Sequence, residues 1–264
     1  TKAAGTPVPW SALTSDMLIV DKPHKPLAIF KTGSTWPAMA QARGDFDDWL
    51  RRSLGEAQSH TIVVAVAEGE SPPPMDTLSG AIITGSHAMV TDREDWSESL
   101  AQWLRQAVPA GLPVLGICYG HQLLAQALGG EVGNLEPEPE VGTVCVALTE
   151  AGRDDPLFHD LPAKFPAHAS HVQSARRLPA EAIHLASSDR EPHHAFRIGP
   201  CAWGVQFHPE FDTESMRAYV KRWADKPNAP KQDWWAIHDN VRETPQAALI
   251  TARFARLALE DCTG

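Results

Sequence analysis

Residues 114 to 122 read Val-Leu-Gly-Ile-Cys-Tyr-Gly-His-Gln, an apolar run that delivers a cysteine between two glycines and then opens a stretch with helical spacing. A buried strand that turns sharply into a helix needs such a sequence, because strand and helix meet closely only where Cβ atoms are absent, here at Gly116 and Gly120. The turn sets the Cys118 thiol at the N-terminus of a helix expected over Gly120 to Leu128, where the partial positive charge favours thiolate. A lone cysteine in an apolar stretch can equally be a packed core residue. The Gly-x-Cys-x-Gly frame favours the nucleophile.

The surrounding pattern extends that unit into a fold class. Leu27 to Lys31, Thr61 to Ala67, Gly80 to Thr84 and Pro113 to Ile117 have the length and apolarity of strands, whereas Phe46 to Leu54 and Trp96 to Val108 carry apolar residues at helical spacing. Alternation of this kind predicts an α/β fold of three layers, a mostly parallel central sheet with helices on both faces. Ligand sites of such sheets lie beyond the carboxyl ends of the strands, which is where Cys118 falls.

After Gly129-Gly130, expected to cap the elbow helix, the chain becomes strand-rich: Val141 to Leu148, Ala182 to Ser187, His194 to Ile198 and Ala202 to Phe207. These predict a smaller antiparallel portion. Glu136-Pro-Glu-Pro-Glu140 is expected to be a polar turn or flap, residues 225 to 233 a surface loop, and Thr244 to Leu259 a terminal amphipathic helix. The expected organisation is an N-terminal arm over 1–26, one domain over 27–222, and a C-terminal loop and helix over 223–264 packed on it.

A cysteine nucleophile needs a base, and the base an orienting group. In Gly204-Val-Gln-Phe-His-Pro-Glu210 the histidine and glutamate stand two apart, so in an extended chain His208 and Glu210 face the same way while Pro209 fixes φ and ends the strand. One ring nitrogen can then be held by the carboxylate while the other meets the thiol. A His-x-Glu alone is also common on surfaces.

Composition excludes several classes. The net charge of -10 argues against nucleic acid as a partner. Four cysteines, at 118, 145, 201 and 262, have neither zinc-site spacing nor the density of a disulfide scaffold, which suits a reducing, cytoplasmic setting. No apolar run approaches the roughly 20 residues that cross a bilayer, and no signal-peptide segment is seen, so no membrane association is expected.

Taken together, the two motifs resemble those of the class I, or triad-type, glutamine amidotransferases. The family's Gly-x-Cys-x-Gly-x-Gln elbow is matched by Gly116, Cys118, Gly120 and Gln122, its terminal His-Pro-Glu by His208, Pro209 and Glu210, and its Gly-rich turn by Thr84-Gly85-Ser86. The similarity covers roughly residues 27 to 220. Ile-Thr-Gly-Ser, Ser170-His-Val-Gln173 and Asp155-Pro-Leu-Phe158 look closest to stand-alone domains similar to the glutaminase half of GMP synthase. The resemblance implies a flavodoxin-like class I glutaminase fold, catalysis by Cys118, His208 and Glu210, and an oxyanion hole from the amides of Tyr119 and Gly85. It implies substrate contacts at Gln122, Ser170, His171, Gln173 and Ser86, and no metal or organic cofactor. Relatives often carry Asp where Gln173 stands, and Gly-Gly-Pro where Thr84-Gly85-Ser86 stands.

Other residues have plainer expectations. Tyr119 and His121 are pocket-lining or, for His121, packing residues. His168, His171, His193 and His194 lack ligand-type spacing and are not expected to hold a metal. Cys145 and Cys201 are expected in the core, Cys262 exposed, and Trp234-Trp235 stapling the C-terminal loop to the domain. About 50 residues follow Glu210, short of an ordinary nucleotide-binding domain, and no Gly-x-x-x-x-Gly-Lys occurs. Any acceptor of ammonia therefore belongs to a separate synthetase chain. Three functions follow: glutamine hydrolysis with ammonia release, hydrolysis of γ-glutamyl peptides or conjugates by the same triad, or a catalytically idle regulatory module.

Overall fold

The computed structural model describes residues 25–260. Most of the expected N-terminal arm, and the expected exposure of Cys262, lie outside the described residues.

The chain adopts the expected three-layer α/β fold with a mostly parallel central sheet. Its parallel half comprises β1 (Leu27–Phe30), β2 (Thr61–Val64), β3 (Gly80–Ile83), β4 (Val114–Ile117) and β11 (Ala202–Val205). β10 (Ala195–Ile198), β9 (Ile183–Ser187), β6 (Glu140–Leu148) and β7 (Lys164–His171) continue the same sheet antiparallel, giving the order β2-β1-β3-β4-β11-β10-β9-β6-β7. A small antiparallel pair, β5 (Glu131–Asn134) with β8 (Gln173–Arg177), stands beside it.

Apart from the edge strand β2, each parallel strand is buried on both sides, so its residues divide between two cores. Leu27 and Ile29 of β1 join one core with Leu50 and Leu54 of the α2 region (Phe46–Ser53) and Ile250 and Phe254 of α8 (Pro245–Leu259). Ala28 and Phe30 join the other with Leu100 and Leu104 of α3 (Asp95–Ala107) and Leu123 and Leu124 of α4 (Tyr119–Ala127). Removing one such Leu or Phe side chain from water contributes about 1.5–3 kcal/mol. A third apolar cluster, with Met39, Phe46, Trp49, Phe211, Met216 and Tyr219, packs α2 against α1 (Pro37–Arg43) and α6 (Thr213–Ala224).

Several expectations change. The strand expected over Thr61 to Ala67 stops at Val64, and the elbow helix begins at Tyr119, one residue early. Sequence reading missed α1, α6 and β7. Pro37 opens α1, Asp212 caps α6 through the Ser215 amide, and Pro166 is tolerated because β7 is an edge strand. Glu140 does not end a polar flap: it begins β6 and is buried. Cys145 is exposed on β6, whereas Cys201 is buried. Trp234 opens α7 (Trp234–Asp239) and stacks on Trp223, its ring centre 6.1 Å away, while Trp235 is 76% exposed and staples nothing.

The short α5 (Glu150–Arg153) leads into Asp155, which is buried beneath the sheet. Its carboxylate accepts from Trp203 Nε1 at 2.9 Å, Arg197 Nε at 2.7 Å and the Leu157 amide at 2.9 Å. The Asp155-Pro-Leu-Phe158 element is thus a structural knot, remote from the elbow. Among the described residues, no helix is long and apolar enough to cross a membrane.

Candidate active site

β4 ends at Cys118, whose φ of 50 and ψ of -97 are unusual for a residue with a Cβ. Packing holds it there. A Cβ on Gly116 would stand 2.3 Å from the Gly120 carbonyl oxygen, so the elbow closes only without that atom. The Cys118 amide donates to Val205 O at 2.8 Å, tying the turn to β11. Tyr119 and Gly120 begin α4, so their amides have no acceptor within the helix.

β11 leads to His208, whose amide donates to His168 O at 2.8 Å. His208 Nδ1 stands 2.8 Å from Glu210 Oε1, both side chains being buried. The ring stacks on Phe211 with centres 4.1 Å apart, which fixes its plane. Burial alone would push the imidazole down, but Glu210 and then the nearby Cys118, with hydrogen bonds to both, raise it to about 10. The imidazole is thus bonded to the carboxylate and lines the same pocket as the thiol.

Gly85 completes this centre from the end of β3. A Cβ there would meet His208 Cε1 at 2.9 Å and Cys118 Cβ at 3.7 Å, so only glycine lets this backbone sit against both. Thr32, beyond β1, sets its orientation. The buried Thr32 hydroxyl is 3.0 Å from Thr84 O and 3.1 Å from Gly85 O, and the Thr32 amide donates to Thr84 Oγ1 at 3.0 Å. In planar trans peptides N–H opposes C=O, so binding both carbonyls on one side turns the Gly85 and Ser86 amides away from Thr32. Ser86 itself spends its hydroxyl on Thr32 O at 2.7 Å. Nothing in the sequence pattern singled out Thr32.

Cys118 and His208 line a pocket of about 240 Å³ with Ser86, Tyr119, Gln122, Ser170, His171 and Gln173. That is below the roughly 300–1,000 Å³ of sites for drug-sized molecules, and suits an amino-acid-sized ligand. Gln122 Nε2 donates to Gln173 O at 2.8 Å and to Gln206 Oε1 at 3.0 Å. Gln173 Nε2 donates to Thr91 Oγ1 at 2.7 Å, while its buried Oε1 has no partner among the described residues. Ser170 accepts from Trp223 Nε1 at 3.1 Å. Tyr119 contributes backbone here, since its hydroxyl is bound to Ser97 at 2.6 Å and burial pushes it up to about 12. His121 is a packing residue: fully buried, held well below its ordinary value by desolvation, and donating to His193 O at 2.8 Å.

Two of the four histidines thought too scattered to cluster do come together. Glu140 Oε2 lies 3.0 Å from His171 Nε2 and 2.8 Å from His194 Nε2, all three buried, and Glu140 Oε1 accepts from Ser188 at 2.6 Å. These are the only three side chains among the described residues grouped as ligands for an ion. Their separations are those of a carboxylate bridging two imidazoles, shorter than the about 3.3 Å between two ligands of one tetrahedral zinc. Glu140 is driven far below the carboxylate range, because the two histidines outweigh the burial that opposes it. His171 is opposed by burial too but raised by Glu140, and its Nδ1 donates to Gln173 O at 2.9 Å. His168 lies apart, pushed down to about 4 by burial, and His193 Nδ1 donates to Ala175 O at 2.6 Å.

Comparison with known proteins agrees with the fold and the family. The model of the class-I glutamine amidotransferase family matches residues 41–225. A GMP synthase (glutamine-hydrolyzing) of Aeropyrum pernix is 35% identical over 205 residues, 76% of this chain and 37% of that protein. The chain thus spans little more than a third of that relative. Gamma-glutamyl peptidase 5 of Arabidopsis thaliana is 27% identical over 203 residues, covering 75% of this chain and 81% of the peptidase. A solved glutamine amidotransferase from Thermotoga maritima superposes with a TM-score of 0.70 at 20% identity, over 89% of this chain and 99% of its own. This chain belongs to the class I glutamine amidotransferase family.

Proposed function

We propose that the chain hydrolyses a γ-glutamyl amide, glutamine in the first instance, through a thioester on Cys118. The observation that carries this is the placement of one buried imidazole, His208, bonded to Glu210 at 2.8 Å and sharing with Cys118 the pocket wall that Gly85 closes. The thiolate attacks the side-chain carbonyl carbon, and the amides of Tyr119 and Gly85 take the charge that develops on oxygen. His208 then gives its proton to the leaving nitrogen as the C–N bond breaks. Water attacks the thioester, His208 takes its proton, and glutamate leaves as the C–S bond breaks. Glu210 keeps the ring oriented throughout.

Around the reacting atoms, Gln122, Ser170 and Gln173 hold the amino-acid end, His171 supports it by bracing Gln173 O with both its nitrogens already occupied, and the unpaired Gln173 Oε1 offers an acceptor to an α-ammonium. Ser86 acts through its hydrogen bond to Thr32. None of these steps calls for a metal or organic cofactor. Residues 27–222 form the catalytic domain, with 223–264 as an addition to it. Ammonia passes to a synthetase on a separate chain, and the setting is cytoplasmic.

The test is ammonia release from glutamine beside turnover of γ-glutamyl dipeptides, for the native chain and Cys118→Ala. Glutamine turnover that vanishes in the variant is expected. Turnover of dipeptides alone favours the peptidase reading, which the Arabidopsis relative supports. No turnover, with no labelling of Cys118 by a glutamine-analogue electrophile, leaves an idle module.

A further inference from the structure

Helix α6 carries Tyr219, Arg222 and Trp223 to the mouth of the Cys118 pocket, and the turn after its C-cap, Asp225, brings Lys226 there, with the Lys226 amide donating to Trp223 O at 3.2 Å. Offsets of three and four put Tyr219, Arg222 and Trp223 on one helical face. Tyr219 sits against Phe211, which stacks on His208, with ring centres 5.0 and 4.1 Å apart, and its hydroxyl shares a 3.1 Å hydrogen bond with His87 Nε2. One turn further out, the Arg222 guanidinium lies 4.7 Å from the centre of the Trp36 ring, and the Lys226 ammonium 3.2 Å from that of Trp223. Aromatic faces hold cations in place without neutralising them.

Among the described residues, neither Arg222 nor Lys226 forms an ion pair with a carboxylate. Lys226 is held below its ordinary value by partial burial and by Arg222, the mark of two like charges kept together. Their field reaches inward as well: His87 is lowered by burial, then by Arg222, Lys226 and His208. Past the mouth, the pocket runs into a groove lined by Trp36, Ala218, Lys221, Arg222, Asp225 and Lys226, in which Asp225 is the single acid among three cations. In a chain of net charge -10 this is a local reversal of sign, suited to drawing in an anion.

Direction follows from the chemistry. His208 must protonate the leaving nitrogen, so whatever that nitrogen carries extends outward from His208, past Tyr219 and His87, to Arg222 and Lys226. Glutamine carries nothing there. We propose that Arg222 and Lys226 form a carboxylate-binding subsite for the leaving group, which lets the site take γ-glutamyl amino acids as well as glutamine. The assignment rests on the hydrolytic reading above for its direction.

Binding to the full chain carrying Cys118→Ala tests the subsite without turnover. Calorimetry compares γ-glutamylglycine, γ-glutamylglycinamide and glutamine, with and without Arg222→Gln plus Lys226→Gln. Charge-assisted hydrogen bonds to a carboxylate predict γ-glutamylglycine at least about tenfold tighter than the glycinamide. The double substitution abolishes that difference and leaves the other two ligands unchanged, and added salt narrows the difference. Equal binding of the two γ-glutamyl compounds, or no binding of γ-glutamylglycine, overturns the proposal. Equal weakening of all three by the double substitution also overturns it, since the cations would then serve the α-carboxylate. Should the native chain cleave none of the three while the binding preference persists, the hydrolytic reading fails and the subsite stands.

Discussion

Two histidine–glutamate pairs flank the Cys118 pocket, and they are wired differently. His208 gives Nδ1 to Glu210 at 2.8 Å and keeps its other side for the thiol. His171 gives Nδ1 to a backbone carbonyl at 2.9 Å and Nε2 to Glu140 at 3.0 Å, so both its nitrogens are occupied. Both rings are buried, both are raised by a carboxylate, and both feel Cys118. What separates a proton carrier from a fixed cation is one uncommitted nitrogen. In the proposed reaction the first pair serves the chemistry; the second belongs to the frame that holds the Ser170 to Gln173 loop against the pocket.

Substitutions can break that contrast, and the largest effect falls on the first pair. His208→Asn is expected to lower kcat by at least about 10³-fold with its melting temperature within a few degrees of native, as urea or thermal denaturation beside a glutaminase assay would check. Glu210→Gln leaves the ring but removes the strongest influence raising it, so kcat falls by about 10²-fold or more. In the proposed reaction His208 is the proton donor, so activity is expected to be lost as pH rises through its value of about 10. In Glu210→Gln the alkaline limb of kcat/KM must therefore move to lower pH; an unmoved limb would contradict the assignment.

Glu140→Gln should act in the opposite manner, on stability before chemistry. Breaking a buried ion pair costs about 3–5 kcal/mol. Glu140 is depressed from 4.5, so its stabilisation is present above that value and fades as pH falls through the lower folded value. His171 is raised from 6.5, so its share is present below that value and fades as pH rises through the higher folded value. The difference in stability between native and variant is then greatest between pH 4.5 and 6.5, measurable as the gap between their denaturation midpoints.

The smallest effect is expected at Thr32. Thr32→Val keeps the shape but releases the Thr84 and Gly85 carbonyls, so the oxyanion donors lose their alignment. Loss of one such donor outright costs about 10²–10³ in kcat, and misalignment through a positioning residue should cost about tenfold, with KM nearly unchanged. A change confined to KM would show that Thr32 serves packing alone.

The same contrast explains what could be read from sequence. Cys118 between glycines, and His208 two residues from Glu210, are local patterns, because the strain of an elbow and the pleat of a strand end act over a few residues. Glu140 and His171 are 31 residues apart and meet only because β6 and β7 pair in register. Prolines before Glu140 made it look like a flap, although the strand starts there. Thr32 lies 52 residues from Thr84 and is aligned with it by parallel β1 and β3. Arg222 escaped because α6 itself went unread, although Asp212, Glu214 and Ser215 carry an ordinary helix start, and Lys226 because it stands in the loop that follows.

The proposed reaction is covalent: the γ-glutamyl group passes through sulfur at the elbow, driven by the His208–Glu210 pair. Mass spectrometry of rapidly acid-quenched protein turning over glutamine tests it directly. A γ-glutamyl adduct on the Cys118 peptide, accumulating in the native chain and lost in Cys118→Ala, is the predicted result. Substrate turnover with Cys118 unmodified, or undiminished turnover by Cys118→Ala, would contradict it.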